Sequence, residues 1–254
     1  MCACEPIRGY DSEVRHFDEL VVQTGESWWG HRTPAGIRRL ARRARLLTDG
    51  IQLSSSDRVL EIAAGAGAFT ETVLRRVPQA HIVATDISGA SIDYLASRLR
   101  EYPNLEPRLA DITRLEFEDE VFDAAIGNSA LHHVDTQLCL KELFRVLRPG
   151  GRLLIFEPNL LNPEVLLEST VARRLAVRSL EYSVEEQTHT RWRYRSMLRR
   201  AGFVQVSVRP FDFLHPKTPR FLLGTVVNVG RVLECFPILR EISGSLLLAA
   251  RRPA

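Results

Sequence analysis

The stretch "VLEIAAGAGAFT" (Val59–Thr70) sets an acid, Glu61, ahead of alternating small residues, Ala63, Gly65 and Gly67. Where a strand turns into a helix, such a run lets backbone approach a ligand at the carboxyl end of a sheet. Two nucleotide chemistries use it. A dinucleotide needs G-x-G-x-x-G, with its pyrophosphate on the helix N-terminus. Gly65 and Gly67 fit, but Thr70 stands at the third glycine position. S-adenosylmethionine has no phosphate and does not demand that third close approach. It needs small residues beside its methionine part and an acid for its ribose hydroxyls. Asp86 lies about twenty residues beyond the loop, where a carboxylate can accept from two ribose hydroxyls. Asp111, in "LADI", offers a further acceptor suited to an adenine amino group. The three elements in this order favour S-adenosylmethionine over NAD.

Methyl transfer is an in-line displacement at a sulfonium methyl, catalysed largely by aligning the acceptor. A base helps where the acceptor is a hydroxyl or an acidic carbon. His132 and His133, after "FDAAIGN", are candidate proton acceptors, and Glu157, ending "RLLIFEP", could orient an amine or take a proton. Their plain alternatives are framework histidines and a carboxylate that caps local backbone. Trp28 and Trp29, in "SWWGHRTPAG", suggest a lid that stacks on the ligand, with Trp29 on the cofactor side. Anchoring of the arm to the core explains them equally well.

These residues need strands to carry them. "RVLEIA", "HIVATD", "EPRLAD", "FDAAIGN" and "RLLIFEP" read as strands, with helices over 69–76, 89–101 (Ser88 as N-cap) and 137–147 between them. That alternation implies a parallel sheet covered on both faces. After Pro158 comes a mainly helical interval, then a helix over 192–201 and two closing strands, "VQVSVRP" and "GSLLLAARR", suited to an antiparallel pair at the sheet edge. The fold class is α/β: a doubly wound, Rossmann-like, mostly parallel sheet with an antiparallel strand near the C-terminus. A helical arm or lid over 1–50 precedes a domain over 51–254, with a substrate-shaping insertion at about 159–190. Residues 220–239 read as a packed apolar helix, or as a wall for a lipophilic substrate or a subunit contact.

On "VLEIAAGAG", "VATDIS", "LADI", "FDAAIGNSALHHV" and "ELFRVLRPGGRLLIFEP" the chain resembles the class I S-adenosylmethionine-dependent methyltransferases, closely over about 58–157. The resemblance implies a cofactor site with Asp86 on the ribose, Asp111 on the adenine side and Asn128 near the methionine end, joined by Glu61, Ala63, Gly65, Gly67, Ile87 and Ile112. The family loop reads acid-x-Gly-x-Gly-x-Gly, and this chain departs at Ala63. Alanine is cheap there at negative φ and costs about 1 kcal/mol at positive φ.

Composition bounds the rest. The 254 residues allow one sizeable core. No apolar run is long enough to span a membrane. The N-terminus has no apolar signal core, so a cytoplasmic protein with reduced cysteines is expected. Cys2 and Cys4 have no second pair at zinc spacing, so no metal site is expected. The net charge is +3. Arginines cluster at Arg38, Arg39, Arg42, Arg43 and Arg45 and again at Arg191, Arg193, Arg195, Arg199 and Arg200. They read as solvated helix faces, or as attraction for an anionic substrate such as a diphosphate, a carboxylate or nucleic acid. The regions outside the core are rich in Leu, Val and Phe, which suits a small apolar or amphipathic acceptor of secondary metabolism. No nucleic-acid module is visible, so an RNA or protein acceptor is the weaker alternative, beside a non-methylating relative that only binds the cofactor. A homodimer is compatible with this composition.

Overall fold

A computed structural model describes residues 10–167 and 187–254. Its sheet has seven strands: β1 (Arg58–Ile62), β2 (His81–Asp86), β3 (Leu105–Leu109), β4 (Phe122–Asn128), β5 (Leu147–Pro158), β6 (Val204–Phe211) and β7 (Ser245–Arg251). Their spatial order is β3-β2-β1-β4-β5-β7-β6. The first five are mutually parallel, and β7 runs antiparallel between β5 and β6. The order reverses after β1, so the carboxyl ends of β1 and β4 flank a crevice.

Helices cover both faces. Helices α1 (Tyr10–Thr24), α2 (Pro34–Ile51), α3 (Ala68–Leu74), α4 (Gly89–Arg98), α5 (Thr136–Val146), α6 (Arg191–Arg200) and α7 (Leu223–Cys235) are placed by local signals. Thr33, Ser88, Asp135 and Thr190 cap α2, α4, α5 and α6 with side-chain oxygens. Strand alternation divides the core. Leu60 and Ile62 point toward α5 and α6, among Leu140, Leu143, Tyr194 and Leu198. Val59, Ile82 and Ala84 point toward α2, α3 and α4, among Leu40, Leu47, Val73 and Leu95.

Helix α2 therefore belongs to the core. Its inward stripe is Gly36, Leu40, Arg43, Ala44, Leu47 and Ile51, and the boundary drawn at residue 50 divides nothing physical. Only α1 and the following turn lie outside that core, and α1 braces α4: Asp18 Oδ1 accepts from Ser88 Oγ at 2.5 Å and from the Ala90 N–H at 3.2 Å. Helix α7 also departs from expectation. Of its residues only Gly230 is buried, while Val229 and Val232 are half exposed. It neither packs as a core helix nor walls the cavity described below. Much of the 159–190 insertion, with Cys2 and Cys4, lies outside the described residues. Among those described, no helix is long and apolar enough to cross a membrane, and no cluster of His, Cys, Asp or Glu is set to hold a metal.

Candidate active site

A cavity of about 230 Å³ runs along the carboxyl ends of the strands. From β3 toward β7 its wall passes Asp111 and Ile112, Asp86 and Ile87, Ala63 and Gly65, Asn128, and then Ser245. Phe17 and Val21 of α1 close one side, and Val165 and Leu214 another. Pocket residues read from the sequence thus converge from the ends of four strands. Glu61, Gly67 and Glu157, also expected in the site, do not line the cavity. The side chains of Trp28 and Trp29 lie outside the described residues; their backbone is a 3₁₀ turn, Gly25–Gly30.

The loop after β1 is built for close approach. Gly65 has φ +54°, and a Cβ there would meet no protein atom within 4 Å, so its open side faces the cavity. Gly67 serves the turn: it caps α3 at φ +81°, and a Cβ would press on Leu95 at 2.9 Å. Ala63 has φ +49°, the costly alternative for that position. Ser129 and Asp212, which also line the cavity, share this left-handed backbone at φ +64° and +70°. Strain of this kind persists where the surroundings over-determine a residue and gathers at working sites. Replacing Ala63 by glycine removes one methyl and relieves its backbone. Stability should change by no more than about 1 kcal/mol, and calorimetric affinity for S-adenosylhomocysteine should stay within about tenfold. A larger loss would reveal a contact made by the Ala63 methyl.

The Asp86 carboxylate is fixed by the loop it faces. Its Oδ2 accepts the Gly65 N–H at 2.8 Å and Oδ1 accepts the Ser88 N–H at 3.0 Å. Burial raises its pKa, against the pull of those N–H groups and that of Ile87. Asp111 spends only Oδ1, on the N–H and hydroxyl of Thr113. A pair of carboxylates at the ends of β2 and β3, with an open glycine beside them, fits a ribose and an adenine amino group.

Glu61 lies behind this wall. Its side chain is 1% exposed, and Glu61 Oε2 and the neighbouring Thr70 Oγ1 are buried without well-formed hydrogen bonds. Burial, opposed by Thr70 and helped by Asp86, raises its pKa from 4.5 to about 8. The folded state holds this proton more tightly than the unfolded chain does. The stability gained is therefore complete below pH 4.5 and is lost as pH rises toward 8. Between pH 5 and 8, Glu61 should cost the wild type on the order of 2–4 kcal/mol. Urea unfolding of Glu61→Gln should show a correspondingly shallower decline; equal declines would mean that Glu61 is hydrated.

The reacting end centres on His132. Glu157 Oε1 accepts the N–H groups of Ala130 and Leu131 at 2.9 and 2.8 Å. Oε2 lies 2.8 Å from His132 Nδ1 and accepts the Tyr194 hydroxyl at 3.3 Å. Glu157 is fully buried, so the expectation that it meets substrate is corrected: it pins the turn after β4 and orients the imidazole. With the carboxylate as acceptor, the proton sits on Nδ1, and Nε2 is the basic atom of the ring. His132 and His133 both line the cavity, with ring centroids 4.0 Å apart. Burial, then His132 and His16, push the His133 pKa well down, so this ring is neutral; the edge of Phe17 packs on it at 5.3 Å.

Arg39 and Arg43 carry two readings from the sequence, solvated helix face or attraction for an anionic substrate. Both line the cavity, with His31, Asp212 and Ser245 beside them. The other arginines divide differently. Arg42 pairs with Glu234 at 2.5 Å, Arg191 pairs with Glu241 at 2.9 Å, and Arg38, Arg45, Arg193, Arg195, Arg199 and Arg200 are exposed. The signal for Arg43 was present, because it falls on the apolar stripe of α2.

Residues 59–151 match the family described as a methyltransferase domain. The demethylmenaquinone methyltransferase of Mycolicibacterium vanbaalenii is 38% identical over 137 residues, covering 54% of this chain and 56% of its own. The ubiquinone/menaquinone biosynthesis C-methyltransferase UbiE of Chromobacterium violaceum is 35% identical over 127 residues, 48% of this chain and 50% of its own. The chain thus spans about half the length of these curated relatives. A methyltransferase structure from Thermotoga maritima superposes with TM-score 0.67 at 17% identity, over 94% of this chain and 99% of that one.

Proposed function

We propose that the chain, whose residues 59–151 match a methyltransferase domain, is a class I S-adenosylmethionine-dependent methyltransferase that uses S-adenosylmethionine to methylate a small apolar or amphipathic molecule. The observation behind this reading is the continuity of the cavity: carboxylates line its β2–β3 end, apolar side chains line its middle beside His132, and Arg39 and Arg43 line its far end. When bound, the cofactor supplies an electrophilic methyl on a sulfonium. Asp86 and Asp111 would hold its nucleoside, Ala63 and Gly65 would give it room, and Ile87, Ile112 and Asn128 would complete its walls. Phe17, Val21, Val165 and Leu214 would shield the acceptor from water and fix its approach. His132 Nε2, held in its tautomer by Glu157, would take the acceptor's proton.

Methyl-tritiated S-adenosylmethionine, offered with fractionated small molecules, RNA and protein, tests the acceptor class. Label should pass into solvent-extractable small molecules. Label in RNA or protein would replace this reading. The names of the two relatives favour one acceptor within it, a quinone precursor such as demethylmenaquinone, methylated on carbon. A trial with demethylmenaquinol addresses that reading directly.

A further inference from the structure

We propose that Arg43 and Arg39 form an oxyanion subsite at the far end of the cavity, which receives a phosphate or carboxylate group of the acceptor. The inference rests on the methyltransferase reading and adds a chemical feature to its substrate. Arg43 is 5% exposed, yet among the described residues no carboxylate lies within ion-pair distance. Its hydrogen bonds go to neutral partners, Nη1 to Asn128 Oδ1 at 2.5 Å and Nη2 to Ser245 Oγ at 2.7 Å. Nε is buried with no partner. A buried charge left without a counter-ion is expensive, and natural sites retain one where something else supplies the opposite charge.

Asp212 and Glu157 act on Arg43 only through space, against the lowering by burial and Arg39, and neither bonds it. Asp212 Oδ2 is taken by Arg39 Nε at 3.2 Å, while Arg42 holds Glu234 through both oxygens. Three arginines on one face of α2 thus share two carboxylates. Burial, then Arg39, lower the Arg43 pKa to about 9, and the guanidinium remains charged at neutral pH. His31 is held neutral by burial and by both arginines, with its pKa near 4. It can serve an anion as a hydrogen-bond partner without adding charge.

Location separates this group from the nucleoside end. Arg43 bridges Asn128, at the end of β4, and Ser245, at the start of β7, with its guanidinium 5.6 Å from the Phe156 ring centroid on β5. Asp86 ends β2, two strand steps from β4 and four from β7, which at the usual strand spacing sets Arg43 roughly 10–19 Å from it. The ribose would lie toward β2, and the guanidiniums lie toward β5 and β7. An amphipathic acceptor fits this order, its anionic group on Arg43 and Arg39 and its apolar body along Phe17, Val21 and Leu214.

Calorimetry with sodium pyrophosphate, sodium phosphate and sodium acetate as probes tests the subsite, on free protein and on protein saturated with S-adenosylhomocysteine. At least one probe should bind the saturated protein without displacing the nucleoside. Arg43→Met should weaken that probe about tenfold or more and Arg39→Gln severalfold, while affinity for S-adenosylhomocysteine should change less than threefold. If Arg43→Met does not fold, the partly exposed Arg39 carries the comparison alone. Probes that compete with S-adenosylhomocysteine, with both affinities falling in Arg43→Met, would assign the arginine to the cofactor's own carboxylate and overturn the proposal. So would the absence of any probe binding to wild type. Failure of S-adenosylhomocysteine to bind would instead defeat the methyltransferase reading, leaving the titration of free protein to report on the subsite.

Discussion

Asp86→Ala should weaken S-adenosylhomocysteine binding by about 1.5–3 kcal/mol, roughly ten- to a hundredfold, the range for hydrogen bonds to a charged group. The carboxylate has two duties. It would accept from the ribose, and it holds the Gly65 N–H and the Ser88 N–H in place. Asp86→Asn separates them, since its amide oxygen can keep one N–H while the charge is gone. The asparagine variant should retain the loop and most of the thermal stability yet lose most of the affinity. Calorimetric titration of both variants, beside their melting temperatures, makes the comparison. Unchanged affinity in Asp86→Ala would put the ribose elsewhere.

His132→Ala should lower turnover by about two to four orders of magnitude, the usual worth of a positioned proton acceptor, with cofactor affinity little changed. The imidazole lines the cavity and Glu157 stands behind it at 2.8 Å. Glu157→Gln provides the positioning control. It keeps an acceptor for the N–H groups of Ala130 and Leu131 but puts an amide beside His132. It should therefore slow turnover and alter its pH profile without abolishing cofactor binding. A His132→Ala enzyme that turns over at the wild-type rate, with its labelled product quantified, would leave alignment as the whole of catalysis.

Strands β1, β2, β4 and β5 were legible because each is a short apolar run with a polar residue at or near its end: Glu61, Asp86, Asn128 and Glu157. Caps such as Ser88 were legible for the same local reason. Three features were not. The role of Gly67 depends on the close approach of Leu95 from another helix, which no local pattern reports. The burial of Glu157 depends on Tyr194 arriving from α6, some 37 residues later. The cavity's far wall depends on 212–215 and Ser245 folding back beside α2, which turned Arg43 from a surface charge into a buried one. Ala63 lay between: its cost was calculable, but its sign waited on φ.

The central claim is that the β1 loop, Asp86 and Asp111 form an S-adenosylmethionine site and not a dinucleotide site. Isothermal titration of the wild-type chain with S-adenosylmethionine and, separately, with NAD tests it most directly. The account predicts saturable one-to-one binding of S-adenosylmethionine and no heat of binding from NAD. Binding of NAD with none of S-adenosylmethionine would contradict it.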